Sequence, residues 1–210
     1  MSKKYFVYGA NGFGREVVDL LRDIKGFSET ELIDNVVLID DDPELVNISG
    51  LSVIHSESFI PANGPVVVAV AHPLIRKKIV SSLPEGTQFY SLIHPSSIIG
   101  RNTEIGDGAI ICAGTIVTCN ISIGSHCHLN LGTTIGHDCT IGDYFTTAPS
   151  VNVSGNCNIG EAVYLGTKAA TKQGVNIASN VVVGMAANVL KSLEKEGVYV
   201  GTPAKLLSKT

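Results

Sequence analysis

The chain has 210 residues, of which 44% are apolar and 16% charged, with a net charge of -4 and a pI of about 5.8. That composition supplies a large buried core and excludes disorder. The acidic balance excludes the basic footprint of a nucleic-acid binder, so any phosphate-bearing ligand has to be held locally. No apolar run is as long as a bilayer span, and the N-terminus runs into a strand rather than a signal sequence, which reads as a cytosolic protein without membrane insertion.

Residues 1–92 read as a small Rossmann-like βαβ domain with a parallel sheet. Tyr5-Phe6-Val7-Tyr8 is an apolar strand, followed by Gly9-Ala10-Asn11-Gly12-Phe13-Gly14 and then by Val17, Leu20, Leu21 and Ile24 at helical spacing. Strand, glycine turn and helix in that order form a phosphate cradle, because backbone N–H groups and the helix's positive end face the ligand. The spacing is Gly-x-x-Gly-x-Gly, not the dinucleotide fingerprint, which disfavours a nicotinamide cofactor. Val36 to Ile39 is a second strand ending in Asp40-Asp41-Asp42, carboxylates placed to accept hydrogen bonds from a ribose or base. Pro65 to Ala71 reads as a third strand and Leu74 to Leu83 as a helix whose Arg76, Lys77 and Lys78 form a solvated face. Gln88 to Ile93 reads as a fourth strand.

From Ile99 to Glu194 an aliphatic residue recurs every six positions without a frame break. Sixteen hexads fit end to end, and fourteen of their openings are Ile, Leu or Val, which is neither a helical nor a simple strand period. The first and fifth places point inward and the third and fourth turn the chain. Three short strands and three corners then close a coil of eighteen residues, so residues 93–194 form about five coils of a parallel β-helix. Cys127, Cys139 and Cys157 fall on the inward fifth place and read as small core residues. Residues 195–210, with Lys191 to Glu196 as a polar closing helix or turn, read as a cap over the open end.

His137 and Asp138 occupy the third and fourth places of their hexad and stand on a corner of the prism. One coil further on, the same places hold Gly155 and Asn156, which leaves room for a ligand above the imidazole. Imidazole takes a proton near neutral pH, and an adjacent carboxylate can orient it as a general base.

The run Gly136-His137-Asp138-Cys139-Thr140-Ile141-Gly142-Asp143, with the Gly9–Gly14 turn before it and Val200-Gly201-Thr202-Pro203-Ala204-Lys205 after it, resembles a known family. That family is the left-handed β-helix sugar O- and N-acetyltransferases of bacterial surface-glycan synthesis. It includes sialic-acid O-acetyltransferases and enzymes acting on nucleotide-linked amino sugars. The resemblance implies left-handed coils, a homotrimer, and acetyl-CoA as donor substrate in the groove between two prisms, with no permanently bound cofactor or metal. His137 would be the general base of a direct transfer and Asp138 its orienting partner. The acceptor, a sugar or nucleotide sugar, would lie at Gly9, Asn11, Gly12, Phe13, Gly14, Asp40 and Asp41. Acetyl-CoA would meet Thr146, Gly155, Gly166, Thr202 and Lys205, with backbone N–H groups around Gly155 and Gly166 receiving the thioester oxygen. The chain departs from the family at Phe13 and Thr146, where members often carry histidine.

Two other readings stay open. His126-Cys127-His128 with His137 and Cys139 suggests the zinc carbonic anhydrases built on the same trimeric fold, although the spacing does not bring three histidines to one ion. A non-catalytic module that senses a nucleotide sugar is the other.

Overall fold

The structure, a computed structural model, describes residues 4–207. Five strands form the N-terminal sheet: β1 (Tyr5–Tyr8), β2 (Val36–Asp40), β3 (Asn47–Ile48), β4 (Leu51–His55) and β5 (Val66–Val68). Their order is β3-β4-β2-β1-β5, parallel throughout except for the β3–β4 hairpin. The hairpin, absent from the sequence reading, turns at Ser49 and Gly50, both with positive φ. Helices α1 (Gly12–Lys25), α2 (Glu29–Asn35) and α3 (Pro73–Ser82) surround the sheet. Val7, Leu38 and Val67 face a core shared with α1, and Tyr8, Ile39 and Val68 a second core shared with α3. Because β1 has β2 on one side and β5 on the other, the crevice at this switch point opens between the turn after β1 and the loop after β5.

The expected fourth strand does not join this sheet. Phe89 makes a single bridge to Val66, while Leu92–Ile93 pairs with Ile110–Ile111 as the first rung of the β-helix. The prism thus begins one strand before Ile99.

Its three faces are parallel sheets with an eighteen-residue step. The first carries six rungs from Ile98–Ile99 to Asn188–Val189, and the second five from Thr103–Ile105 to Asn176–Ile177. The third runs from Leu92–Ile93 through His128–Leu129 and Thr146–Thr147 to Val181–Val183 and Gly197–Val200. Fifth-place residues from Ala109 to Leu193 are buried, Cys127, Cys139 and Cys157 among them. Fourth-place residues from Asn102 to Ala186 have φ between 54° and 77°, as at Asn120, Asp138 and Gly174, so each of these corners is turned by one left-handed residue.

The closing segment differs from expectation. Lys191 to Glu196 forms no helix, because Leu193 keeps the inward fifth place and bridges to Ile177. Gly197–Val200 then adds a parallel rung, and Lys205–Leu206 folds back on it antiparallel, covering that sheet's edge. Residues 208–210 of the expected cap lie outside the described residues.

Arg76 overturns the solvated-face expectation: its side chain is fully buried between the domains. Nε donates to His126 O at 2.9 Å, and Nη1 to Val70 O at 2.7 Å and Ala71 O at 3.1 Å. Nη2 donates to Tyr144 O and to Thr146 Oγ1, both at 2.7 Å. Burial pushes the guanidinium's pKa down to about 10, which leaves it charged at neutral pH. The carbonyls of both domains thus replace its water. Since Val68 O can only accept, His128 carries its proton on Nε2 and offers Nδ1 to Arg76 Nη1 at 3.2 Å.

Candidate active site

The α/β domain docks on the third face, through Leu92, Ile110 and Cys112 against α1 and through Arg76 against His128 and Thr146. His137 follows the first-face rung Thr134–Ile135 and precedes the second-face rung Thr140–Ile141. It therefore stands on the edge opposite the docked domain.

His137 and Asp138 are both about half exposed, and His137 Nδ1 lies 2.7 Å from Asp138 Oδ2. Asp138 takes the left-handed turn at φ 60°, a conformation aspartate tolerates, and this swings its carboxylate toward the preceding imidazole. The imidazole, and next the Asn120 amide 3.1 Å from Oδ1, hold the Asp138 carboxyl below its usual range. An ionised carboxylate only accepts, so Nδ1 carries the proton and Nε2 is left as a base. Above it lies Gly155, where a Cβ would come within 2.8 Å of His137 Cε1 and Nε2. Only glycine lets the ring lie there, and the imidazole itself fills the room that the sequence left above it for a ligand. A polar groove of about 350 Å³, lined by Glu104, Asn120, Ser122, Asp138 and Thr140, runs down the second-face side of the edge.

At the other candidate site, Gly9 (φ 106°) donates its N–H to Ile39 O, and a Cβ on it would sit 3.0 Å from Ala69 O. A Cβ on Gly14 would overlap the Gly9 carbonyl oxygen, so this glycine serves helix packing. A Cβ on Gly12 would meet nothing within 4 Å, which leaves the first turn of α1 open to a ligand. Asn11 makes no side-chain cap and the first turn has no acidic residue, so the helix's positive end is uncompensated from within. Asp40 binds Ala10 N–H at 2.9 Å and Asp42 N–H at 3.1 Å, fixing the turn. Asp41 accepts from Tyr8 OH at 2.7 Å and borders a cavity of about 450 Å³ also lined by Ser56, Glu57 and Lys78. Hydrogen bonds from Ser56 and Tyr8 hold its carboxyl below the usual range, while burial raises the Tyr8 phenol to about 12. The Phe13 ring packs 5.2 Å from that of His128.

Several expected contacts with acetyl-CoA change. Thr146 is buried, with its hydroxyl accepting from Arg76 and donating to Ala71 O at 3.1 Å, so it belongs to the domain joint and has no bond left for a ligand. Gly166 donates its N–H to Val183 O at 2.8 Å, which removes it as a donor to a thioester oxygen. It also lies on a different edge from His137, between the third and first faces, whereas Gly155 shares the histidine's edge. Thr202 accepts from Asn188 Nδ2 at 2.8 Å, and Lys205 is exposed on the fold-back strand.

His126 and His128 do not join His137. The His126 ring stacks on Tyr144 at 5.3 Å and meets the edge of Phe89 at 4.6 Å, inside the domain joint. Among the described residues, no three His, Cys, Asp or Glu side chains converge as metal ligands do.

Comparison with known proteins agrees with this architecture. Residues 4–83 match the PglD N-terminal domain family. WeeI from Acinetobacter baumannii AYE superposes with a TM-score of 0.90 at 34% identity, covering 98% of this chain and all of the other. The chain belongs to the left-handed β-helix nucleotide-amino-sugar acetyltransferase family. Within that family, the acetyltransferase domain of PglB from Neisseria gonorrhoeae FA1090 superposes with a TM-score of 0.88 at 27% identity, over 98% of this chain and all of that domain. That domain has also been solved in complex with acetyl coenzyme A. The GDP-perosamine N-acetyltransferase of Escherichia coli O157:H7 is 32% identical over 114 residues, 51% of this chain. That match spans about half the length of the curated relative (50%). No helix among the described residues is long and apolar enough to cross a membrane.

Proposed function

We propose that the protein transfers the acetyl group of acetyl-CoA to the amine of a nucleotide-linked amino sugar during surface-glycan synthesis in the cytosol, with His137 as general base. The observation that carries this reading is the 2.7 Å contact of His137 Nδ1 with Asp138 Oδ2, which leaves Nε2 without the ring's proton on a half-exposed edge, the imidazole packed beneath the bare backbone of Gly155. The acceptor's nitrogen attacks the thioester carbonyl carbon as Nε2 takes a proton from it. The tetrahedral intermediate collapses to the amide, and the departing CoA sulfur recovers the proton. A thioester is already activated, so no enzyme nucleophile is required, and the base contributes on the order of 10² to 10⁴ in rate.

The acceptor's nucleotide occupies the crevice between the glycine turn and the loop after β5, with its phosphates at the open end of α1 beside Gly12 and its base or ribose near Asp41. This crevice and His137 lie on opposite sides of one prism, so a complete site needs a neighbour. In a homotrimer, the α/β domain of one protomer delivers the acceptor to the base of the next, and acetyl-CoA lies in the groove between their prisms. The N-acetyl preference over O-acetylation of sialic acid draws on the names of the relatives and on the open glycine turn at the start of α1.

Thiol release from acetyl-CoA, screened against UDP-, GDP- and dTDP-linked 4-amino sugars and against sialic acid, tests the acceptor class. Turnover with sialic acid and with none of the nucleotide sugars would sink the preference. Full turnover by His137→Ala would remove the base from the mechanism, and a monomer in sedimentation equilibrium would remove the shared site.

A further inference from the structure

The edge that carries His137 also carries an unbroken run of carboxamide and carboxylate side chains at the left-handed fourth place: Asn102, Asn120, Asp138 and Asn156. The backbone does not demand it. On the other two edges, Gly, His, Tyr, Ser, Ala and Lys take up the same left-handed conformation, with a single carboxamide, Asn180, among them. What the run adds is a chain of hydrogen bonds climbing one coil at a time. Asn102 Nδ2 donates to Asn120 Oδ1 at 3.0 Å, and Asn120 Nδ2 to Asp138 Oδ1 at 3.1 Å. The chain ends where Asp138 turns its other oxygen to His137.

We propose that Asn120, itself oriented by Asn102, is a positioning residue for His137. Its amide fixes the Asp138 carboxylate so that Oδ2 faces Nδ1, which holds the imidazole as the Nδ1–H tautomer and keeps Nε2 free to accept the acceptor's proton. The run gives the amides their direction: with Asn102 donating to its carbonyl oxygen, the Asn120 amide presents its NH₂ upward, the polarity a carboxylate requires. The other charged groups about this edge are Glu104, in the groove below, Arg101, two coils under His137 in its own column with the Cys119 thiol between, and above it the exposed Lys172, two coils over Gly136, and Lys191, three coils over His137. The inference rests on the reading of His137 as base, and the test separates the two.

The histidine ring nitrogens are followed by NMR in the full-length protein labelled with ¹⁵N-histidine, with the His137 signals assigned by their loss in His137→Ala. At φ 55°, position 120 accepts glycine without strain, so Asn120→Gly removes the amide and spares the turn. The expected result is a dominant Nδ1–H tautomer for His137 in the wild type and a shift toward Nε2–H in Asn120→Gly. With the 4-amino-sugar nucleotide that gives the fastest thiol release, Asn120→Gly should lower kcat about tenfold, the loss expected for an orienting partner, while leaving KM for acetyl-CoA unchanged. A His137 tautomer unchanged in Asn120→Gly would overturn the proposal whatever the activity does. Unimpaired turnover in His137→Ala would instead overturn the base assignment, with the NMR result standing.

Discussion

Arg76 Nη2 donates to Thr146 Oγ1 at 2.7 Å, joining a helix of the α/β domain to the third face of the prism. The same guanidinium serves carbonyls from both domains, so Arg76→Ala leaves several buried acceptors unpaired at once. The expected loss is about 3 kcal/mol, since each charged hydrogen bond contributes roughly 1.5 to 3 and the cavity relaxes only in part. For a chain of this length that is roughly 6 to 12 °C in Tm, measurable by calorimetry. Arg76→Lys should lose nearly as much, because an ammonium cannot fan its donors over both domains. A drop of only 1 or 2 °C in both variants would show the joint to be held by its apolar contacts.

Arg76 also marks where the sequence could be read and where it could not. Ile75-Arg76-Lys77-Lys78 looks like a run of solvated cations, yet Arg76 lies three and four residues before Ile79 and Val80, on the face of α3 that packs inward. Helical spacing carried the signal and charge type hid it. The hexads were fully legible because one short unit repeats its phase in every coil, so an error at one place is outvoted by fifteen others. His137 and Asp138 were placed on an edge by the same phase. What a period cannot report is which face a second domain covers, and that contact withdrew Thr146 from the ligand and put His126 and His128 in the joint. The β3–β4 hairpin and α2 were legible but unread. Ser49-Gly50 is a hairpin turn signal, and Ser28 with Glu31 is a capping box whose reciprocal bonds are both present.

Gly155→Ala isolates the position of the base. Its Cβ would press within 2.8 Å of the His137 ring, and because that ring is the free end of a half-exposed side chain, it yields rather than the backbone. Stability should change by less than about 1 kcal/mol, whereas kcat should fall about 10²-fold, the cost of a misplacement near 1 Å. A melting curve beside steady-state kinetics separates the two. Equal losses in fold and activity would mean that Gly155 serves the coil rather than the imidazole.

Gly12 and Gly14 should behave oppositely. Gly14→Ala drives a methyl into the Gly9 carbonyl and should cost about 1 to 3 kcal/mol, as overpacking does. Gly12→Ala meets open space, so its stability should stay within about 1 kcal/mol of wild type, yet the methyl occupies the approach to the end of α1. KM for the nucleotide sugar should rise about tenfold or more with KM for acetyl-CoA unchanged, the usual effect of one methyl in a fitted site. An unaltered acceptor KM would place the nucleotide elsewhere.

The two buried histidines make stability depend on pH between about 5 and 7. Burial, and next the charge of Arg76, hold His128 well below the ordinary imidazole pKa, and the same two causes lower His126. In the unfolded chain both titrate near 6.5. As the pH falls through that value the unfolded chain takes up protons that the folded chain refuses, so stability is full above about pH 7 and is lost on acidification. Each histidine contributes a slope approaching about 1.4 kcal/mol per pH unit below that point. Glu31, Asp41 and Asp138, whose carboxyls are lowered in the fold, lose their contribution only below about pH 4.5, which leaves the histidine window clear. Urea unfolding at pH 7.5, 6.5 and 5.5 should therefore show a falling free energy in the wild type. His128→Gln keeps a polar side chain of similar reach but cannot be protonated, so it should reduce the slope by about one proton even though it lowers stability at every pH. If the variant kept the wild-type slope, His128 would already be accepting a proton in the folded protein, and the neutral ring that receives Arg76 on Nδ1 would be the wrong tautomeric assignment.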